Sequence, residues 1–145
     1  MLGVIFSIIA GAVMSLQGVI NTRLSEKIGL YESNMFVQGT AFFFSLIALY
    51  FFGKGNLNAL FETNKLYWFG GLLGIIITIT VMLAIGNLSP TVAISIILVS
   101  QLLVAAIIDS FGLMDTKKVT FEWTKYLGLF LMITGVILFK LNINK

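Results

Sequence analysis

The sequence has no cysteine, no histidine, a single proline and only six acidic residues among its 145. Without cysteine there is no disulfide, thiol nucleophile or thiolate metal site, and without histidine there is no imidazole proton relay near neutral pH. There is no Ser/His or Cys/His arrangement, no metal-ligand cluster and no glycine-rich phosphate cradle. No catalytic residue, metal site or cofactor is therefore expected, and the chain does not read as an enzyme. Charge is scarce as well. Charged residues make up 10% of the chain and hydrophobic residues 59%, with a mean hydropathy of +1.04. Soluble domains hold about 25% charged and about 45–50% apolar residues. A chain this short cannot bury so much apolar surface in its own core, so the excess must face lipid. The net charge is +3, and Lys117 and Lys118 are the only adjacent basic pair. Nucleic-acid and polybasic lipid-binding segments carry clusters of roughly four to eight basic residues, so no nucleic-acid partner is expected.

What the sequence does have is five long apolar runs, at residues 2–21, 35–52, 66–88, 91–112 and 126–141. Each approaches the roughly 20 residues that a membrane-crossing helix needs. They lack the period-2 alternation of barrel strands and far exceed a strand length of about 10. The expected fold is an all-α integral membrane protein with five transmembrane helices in a single domain, 1–145. The first run has no basic flank and no small-residue cleavage pattern before its polar loop, so it reads as a retained span rather than a signal peptide. Between the third and fourth runs, Ser89 is suited to cap a helix and Pro90 to occupy its first position, where a missing N–H is harmless. This predicts a tight antiparallel hairpin. Tyr50, Tyr67, Trp68, Trp123 and Tyr126 fall near span ends, as an interfacial aromatic belt requires.

Lysine and arginine set the orientation of such a chain, since the richer flank stays cytoplasmic. Arg23, Lys27, Lys140 and Lys145 fall on one side, and Lys54, Lys65, Lys117, Lys118 and Lys125 on the other. Four against five is almost no bias. Three arrangements follow: one orientation set by a few well-placed charges, insertion in both directions to give an antiparallel homodimer, or pairing with a separately encoded inverted homologue. Many transporters consist of two inverted halves with the substrate site at their interface, and dual insertion would supply that architecture from one short chain.

The polar residues inside the spans are the candidates for function. In the first run Gly3, Ser7, Gly11, Met14, Gln17, Gly18 and Asn21 recur every three to four residues and share one helix face. Ile5, Ile8, Ile9, Leu16 and Ile20 lie opposite. Gln17 and Asn21 either line a polar cavity as substrate-binding amides or hydrogen-bond to a neighbouring helix. Gln38, early in the second run, is a further substrate-binding candidate. In the fourth run Gln101, Ala105 and Asp109 follow a four-residue spacing, which would put Gln101 on the same cavity as Asp109. Asp109 is the only carboxylate within a span. An ionised Asp is unfavourable by about 2.5–3.5 kcal/mol at mid-membrane and by less near an end. Either it reaches the interface to meet Lys117 or Arg23, or it couples transport to a proton or cation. Gly11, Gly70 and Gly74 read as helix-packing positions.

The stretch QGVIN followed by TRL (residues 17–24) and the stretch SQLLVAAIIDSFGLMD (100–115) resemble the YdcZ family of the drug/metabolite transporter superfamily. GGLLG (70–74) and LGLFLMITGVIL (127–138) fit the same pattern, so the likeness covers nearly the whole chain. The resemblance implies a small inner-membrane transporter whose five-helix units work as inverted pairs. Two positions depart from the family pattern, Ser100 in place of glycine and Ser110 in place of histidine, which leaves no histidine to assist protonation of Asp109. The first span also has no acidic residue, so the first-span glutamate chemistry of the small multidrug resistance proteins does not transfer to it.

The function expected is a secondary transporter, in the export direction, of small polar organic solutes across the bacterial cytoplasmic (inner) membrane, working by alternating access in an inverted dimer. Its partners would be a small-molecule substrate, membrane lipid and a second copy of the chain. The alternative is a non-transporting membrane subunit that packs against a larger or homologous partner. Orientation is testable at once in a cysteine-free chain. With Asn144→Cys and a membrane-impermeant maleimide, about half of the molecules in intact cells should label if insertion is dual. Labelling of all or none would establish a single orientation.

Overall fold

The computed structural model describes residues 1–120 and 122–141. Asn144 and Lys145, used above for labelling and for the charge balance, lie outside the described residues. Five α-helices follow one another: α1 (Leu2–Ile28), α2 (Leu30–Phe52), α3 (Gly70–Asn87), α4 (Pro90–Phe111) and α5 (Trp123–Leu141). Short 3-10 turns occupy Leu57–Glu62, Lys65–Phe69 and Leu113–Asp115, and there is no strand among the described residues. All five helices are long and apolar enough to cross a membrane, the third together with its preceding turn. The all-α, five-span architecture is that of a multi-pass membrane protein.

α1, α2 and α5 extend beyond their apolar runs, because backbone hydrogen bonding continues where hydropathy stops, whereas the start of the third run is a 3-10 turn and α3 begins only at Gly70. α1 continues past Asn21 through a polar turn in which Arg23 and Glu26 pair at 2.9 Å. It ends at Gly29, whose φ of 102° lies in the region that side-chain-bearing residues avoid. A side chain at Gly29 would also meet the Glu32 carboxylate. α2 therefore starts after a single residue. Ser89 does stand at the N-cap of α4 with Pro90 behind it, but its side chain makes no capping bond. α4 closes at Gly112 in a left-handed conformation (φ 63°) whose N–H bonds the Ile108 carbonyl. The chain then folds back, and Val119 N–H donates to the Asp109 carbonyl at 2.9 Å.

The chain divides into two compact units, α1–α3 (Met1–Asn87) and α4–α5 (from Leu88 onward). In the first unit α1 lies against both α2 and α3, and α2 against α3. Burial is concentrated where α1 ends, α2 begins and α3 ends. Gly18, Asn21, Thr22, Ser33, Asn34, Met82 and Ile85 are buried there, while residues 1–14, 41–52 and 70–73 are all exposed. The exposed portions include the apolar runs Ile8, Ile9, Phe42, Phe43 and Phe44, which suit lipid. In the second unit α4 packs on α5.

Gly18 marks a close approach between helices. A Cβ there would lie 2.9 Å from Ile85 Cδ1 and 3.1 Å from Val81 Cγ1, so the missing side chain lets α3 close on α1. One stripe earlier, a Cβ on Gly11 would meet nothing within 4 Å. Gly18→Leu should therefore destabilise the detergent-solubilised protein by about 1–3 kcal/mol through overpacking. Gly11→Leu should leave its thermal unfolding midpoint unchanged or higher.

Candidate functional site

Most hydroxyls in the helices satisfy themselves. Ser7, Ser15, Thr22, Thr40, Ser45, Thr80, Ser95 and Thr134 each donate to the carbonyl four residues earlier. Such bonds are closed within one turn and leave little polarity for a ligand. The amides in the spans are different, because each carries two donors and a carbonyl oxygen, more than one helix turn can absorb.

Two such amides meet at the junction of α1 and α3. Gln17 and Asn21 line a cavity of about 50 Å³ together with Met14, Gly18, Ile77, Thr78 and Val81. Met14, Gln17, Gly18 and Asn21 recur at helical spacing on α1, and Ile77, Thr78 and Val81 do so on α3. The cavity is thus where two stripes face each other, and Gly18 sets the distance between them. Asn21 is only 7% exposed. Its backbone carbonyl accepts from Ser33 Oγ at 3.4 Å, but its side-chain amide has no hydrogen-bond partner among the described residues. Gln17, one turn earlier, is exposed.

Gln38 reaches the same place from α2. Its Nε2 donates to Thr78 Oγ1 at 3.5 Å, and Thr78 Oγ1 donates to the Gly74 carbonyl at 2.9 Å. A Cβ on Gly74 would stand 3.7 Å from Gln38 Nε2, in ordinary van der Waals contact, so the Gln38 side chain lies against this glycine. Thr78 joins the α2 amide to the cavity of the α1 amides. The sequence pattern alone assigned it no role. The signal available was its position four residues after Gly74, on the same face.

Gln17, Asn21 and Gln38 are thus gathered in the first unit. The cavity of Gln17 and Asn21, to which Gln38 is joined by its bond to Thr78, is lined by two amides, a hydroxyl and apolar side chains, with no charged group among the described residues. Beside it lies a second buried polar set that sequence reasoning assigned to a loop. Thr22 is 3%, Ser33 0% and Asn34 8% exposed, and Asn34 Oδ1 is buried with no partner among the described residues. Gly11 and Gly70 have nothing within 4 Å of a Cβ position, so neither makes a close helix contact within the unit.

Asp109 and Gln101 belong to the second unit. Asp109 lines a groove of about 360 Å³ with Leu102, Ala105 and Ala106 from α4 and Lys125, Gly128, Leu129 and Met132 from α5. Gln101 is exposed and is not part of that lining, whereas Ala105 and Asp109 are. No group of three or more acidic residues that could hold a metal occurs among the described residues.

Comparison with known proteins adds one finding. A family model described as "Putative inner membrane exporter, YdcZ" matches residues 2–138. No curated protein and no solved structure matches the chain.

The unpartnered carbonyl of Asn34 has a measurable consequence, since leaving a buried acceptor unsatisfied costs about 1–3 kcal/mol. Asn34→Leu, of similar volume, should raise the unfolding midpoint in detergent. A lowered midpoint would mean that the Asn34 amide is satisfied in the membrane.

Proposed function

The chain belongs to the YdcZ exporter family and is a multi-pass inner membrane protein, and from that premise we propose that it is a secondary transporter of small, neutral, hydrogen-bonding organic solutes. One observation carries the reading: Gln17, Asn21 and Thr78 converge on a cavity with no charged residue in its lining, and the Asn21 side-chain amide makes no hydrogen bond among the described residues. Amides and a hydroxyl offer both donors and acceptors. Without a carboxylate, such a lining favours neutral solutes over lipophilic cations.

The cavity volume bears on the assembly. About 50 Å³ is well below the roughly 300–1,000 Å³ typical of ligand pockets, although it has room for a few waters at about 10–15 Å³ each. One chain thus supplies part of a site. A second copy in inverted orientation would bring a second set of Gln17, Asn21 and Gln38 to face the first, with alternating access by rocking of the two inverted units. The near-even split of lysine and arginine between the two flanks is compatible with this arrangement. So are the open positions at Gly11 and Gly70, where a partner helix could approach closely. Those open glycine faces also favour the second reading, a non-transporting subunit held against a larger or homologous partner. Gln101 and Asp109 belong to the second unit, and the solute site rests on the first-unit amides alone.

Reconstitution of the purified chain by itself tests the reading, with flux of a panel of radiolabelled neutral polyols and amides as the measurement. Flux should appear. Gln17→Leu should lower it by about tenfold or more, the loss expected from one or two hydrogen bonds to a buried partner, with assembly unchanged on cross-linking. Loss of assembly in that variant would make Gln17 a helix–helix contact, and absence of flux in the unaltered chain would favour the subunit.

A further inference from the structure

The groove of the second unit differs in chemistry from the amide cavity. Its two ionic groups, Asp109 and Lys125, come from different helices and lie at the same end, Asp109 close to the end of α4 and Lys125 close to the start of α5. From there the lining turns wholly apolar and reaches Leu102 on α4 and Met132 on α5. Each is seven residues from its charged counterpart, or roughly 10 Å at 1.5 Å per residue. The charged end is the interfacial end, marked by Trp123 and Tyr126 in the first turn of α5, and the apolar end points toward mid-membrane.

The loop after α4 fixes the charged end in place. Val119 N–H bonds the Asp109 carbonyl, and Lys125 Nζ donates to the Thr120 carbonyl at 3.4 Å. Small residues widen the apolar part: Ala105 lies on one wall, and a Cβ on Gly128 would meet nothing within 4 Å. The volume of about 360 Å³ lies within the roughly 300–1,000 Å³ of sites that hold small organic ligands.

We propose that this groove binds a membrane phospholipid whose headgroup carries both a phosphate and a primary ammonium, as phosphatidylethanolamine does. The headgroup ammonium donates to the Asp109 carboxylate, the phosphate accepts from Lys125, and one acyl chain runs past Ala105 and Gly128 toward Leu102 and Met132. Charge complementarity sets the headgroup, because both bonds are charge-assisted. A headgroup with only a negative charge would meet the Asp109 carboxylate unfavourably. The polarity gradient sets the class, since a phospholipid is charged at the interface and apolar below it, in the order in which the groove is lined. This goes beyond the transport reading and does not depend on it. It gives Asp109 a partner outside the protein in place of an ion-coupling task.

The test uses the full chain, purified in mild detergent and titrated with dioleoyl-phosphatidylethanolamine, dioleoyl-phosphatidylcholine and dioleoyl-phosphatidylglycerol, with bound copies counted by native mass spectrometry. Phosphatidylethanolamine should be held about tenfold more tightly than the other two, the difference expected of one charge-assisted hydrogen bond. Asp109→Asn should erase that preference. Gly128→Leu, whose side chain enters the open groove, should remove the bound lipid while the thermal midpoint is unchanged. Equal retention of the three lipids would overturn the proposal as annular binding only, and a preference that survives Gly128→Leu would place the lipid elsewhere. Lipid retention unchanged in Asp109→Asn, with solute flux lost, would return Asp109 to ion coupling. Because the lipid is counted without any solute, a chain that transports nothing still gives a decisive result.

Discussion

In hydrocarbon there is no water to satisfy a peptide group, and each unsatisfied N–H or C=O is unfavourable by several kcal/mol. That constraint shapes this protein throughout. It forces the five apolar runs into helices, and it disciplines the side chains as well. Ser7, Thr22, Ser45, Thr80 and Thr134 turn back onto carbonyls of their own helices. What remains is the polarity that cannot be closed within one turn. Gln17, Asn21 and Gln38 carry that surplus, and the first unit brings them to one place through Thr78.

Packing in the first unit follows from the same solvent. Lipid tails are as apolar as leucine, so helices do not associate in order to hide apolar surface. Contact shape and hydrogen bonding hold them instead. Burial accordingly centres on Gly18 and on polar residues, Asn21, Thr22, Ser33 and Asn34, with Met82 and Ile85 as the apolar complement. A water-soluble bundle of this size would bury phenylalanine and leucine. Here Phe42, Phe43 and Phe44 stay exposed, while an asparagine with an unpartnered carbonyl is buried. The packed end is therefore a polar contact, whereas the first halves of α1 and α3 and the second half of α2 present bare faces.

The two units divide the chemistry. Neutral hydrogen-bonding groups line the cavity of the first, and one carboxylate and one ammonium mark the interfacial end of the groove in the second. A charged side chain at the membrane surface keeps access to water and headgroups, and Asp109 and Lys125 lie close to helix ends. An amide needs no counter-charge and is tolerated deeper.

Much of this was legible in the sequence for a simple reason: hydropathy and helical period depend only on local order along the chain. The five spans, the all-α class, the exporter family and the polar stripe of Gln17 and Asn21 on a glycine-lined face needed no tertiary information. Helix ends were less legible. Thr22, Ser33 and Asn34 look like loop residues because they are polar, and only their burial between helices shows otherwise. Sequence alone determined which segments cross the membrane and which residue types each helix face carries, since the bilayer imposes length and polarity one segment at a time. Tertiary structure decided which faces meet. Gly18 rather than Gly11 or Gly70 takes the close contact, Thr78 joins Gln38 to the cavity of the α1 amides, and Asp109 and Lys125 line a groove that excludes Gln101. Those choices depend on how helices distant in sequence set their distance and rotation against one another, and no single helix carries that information.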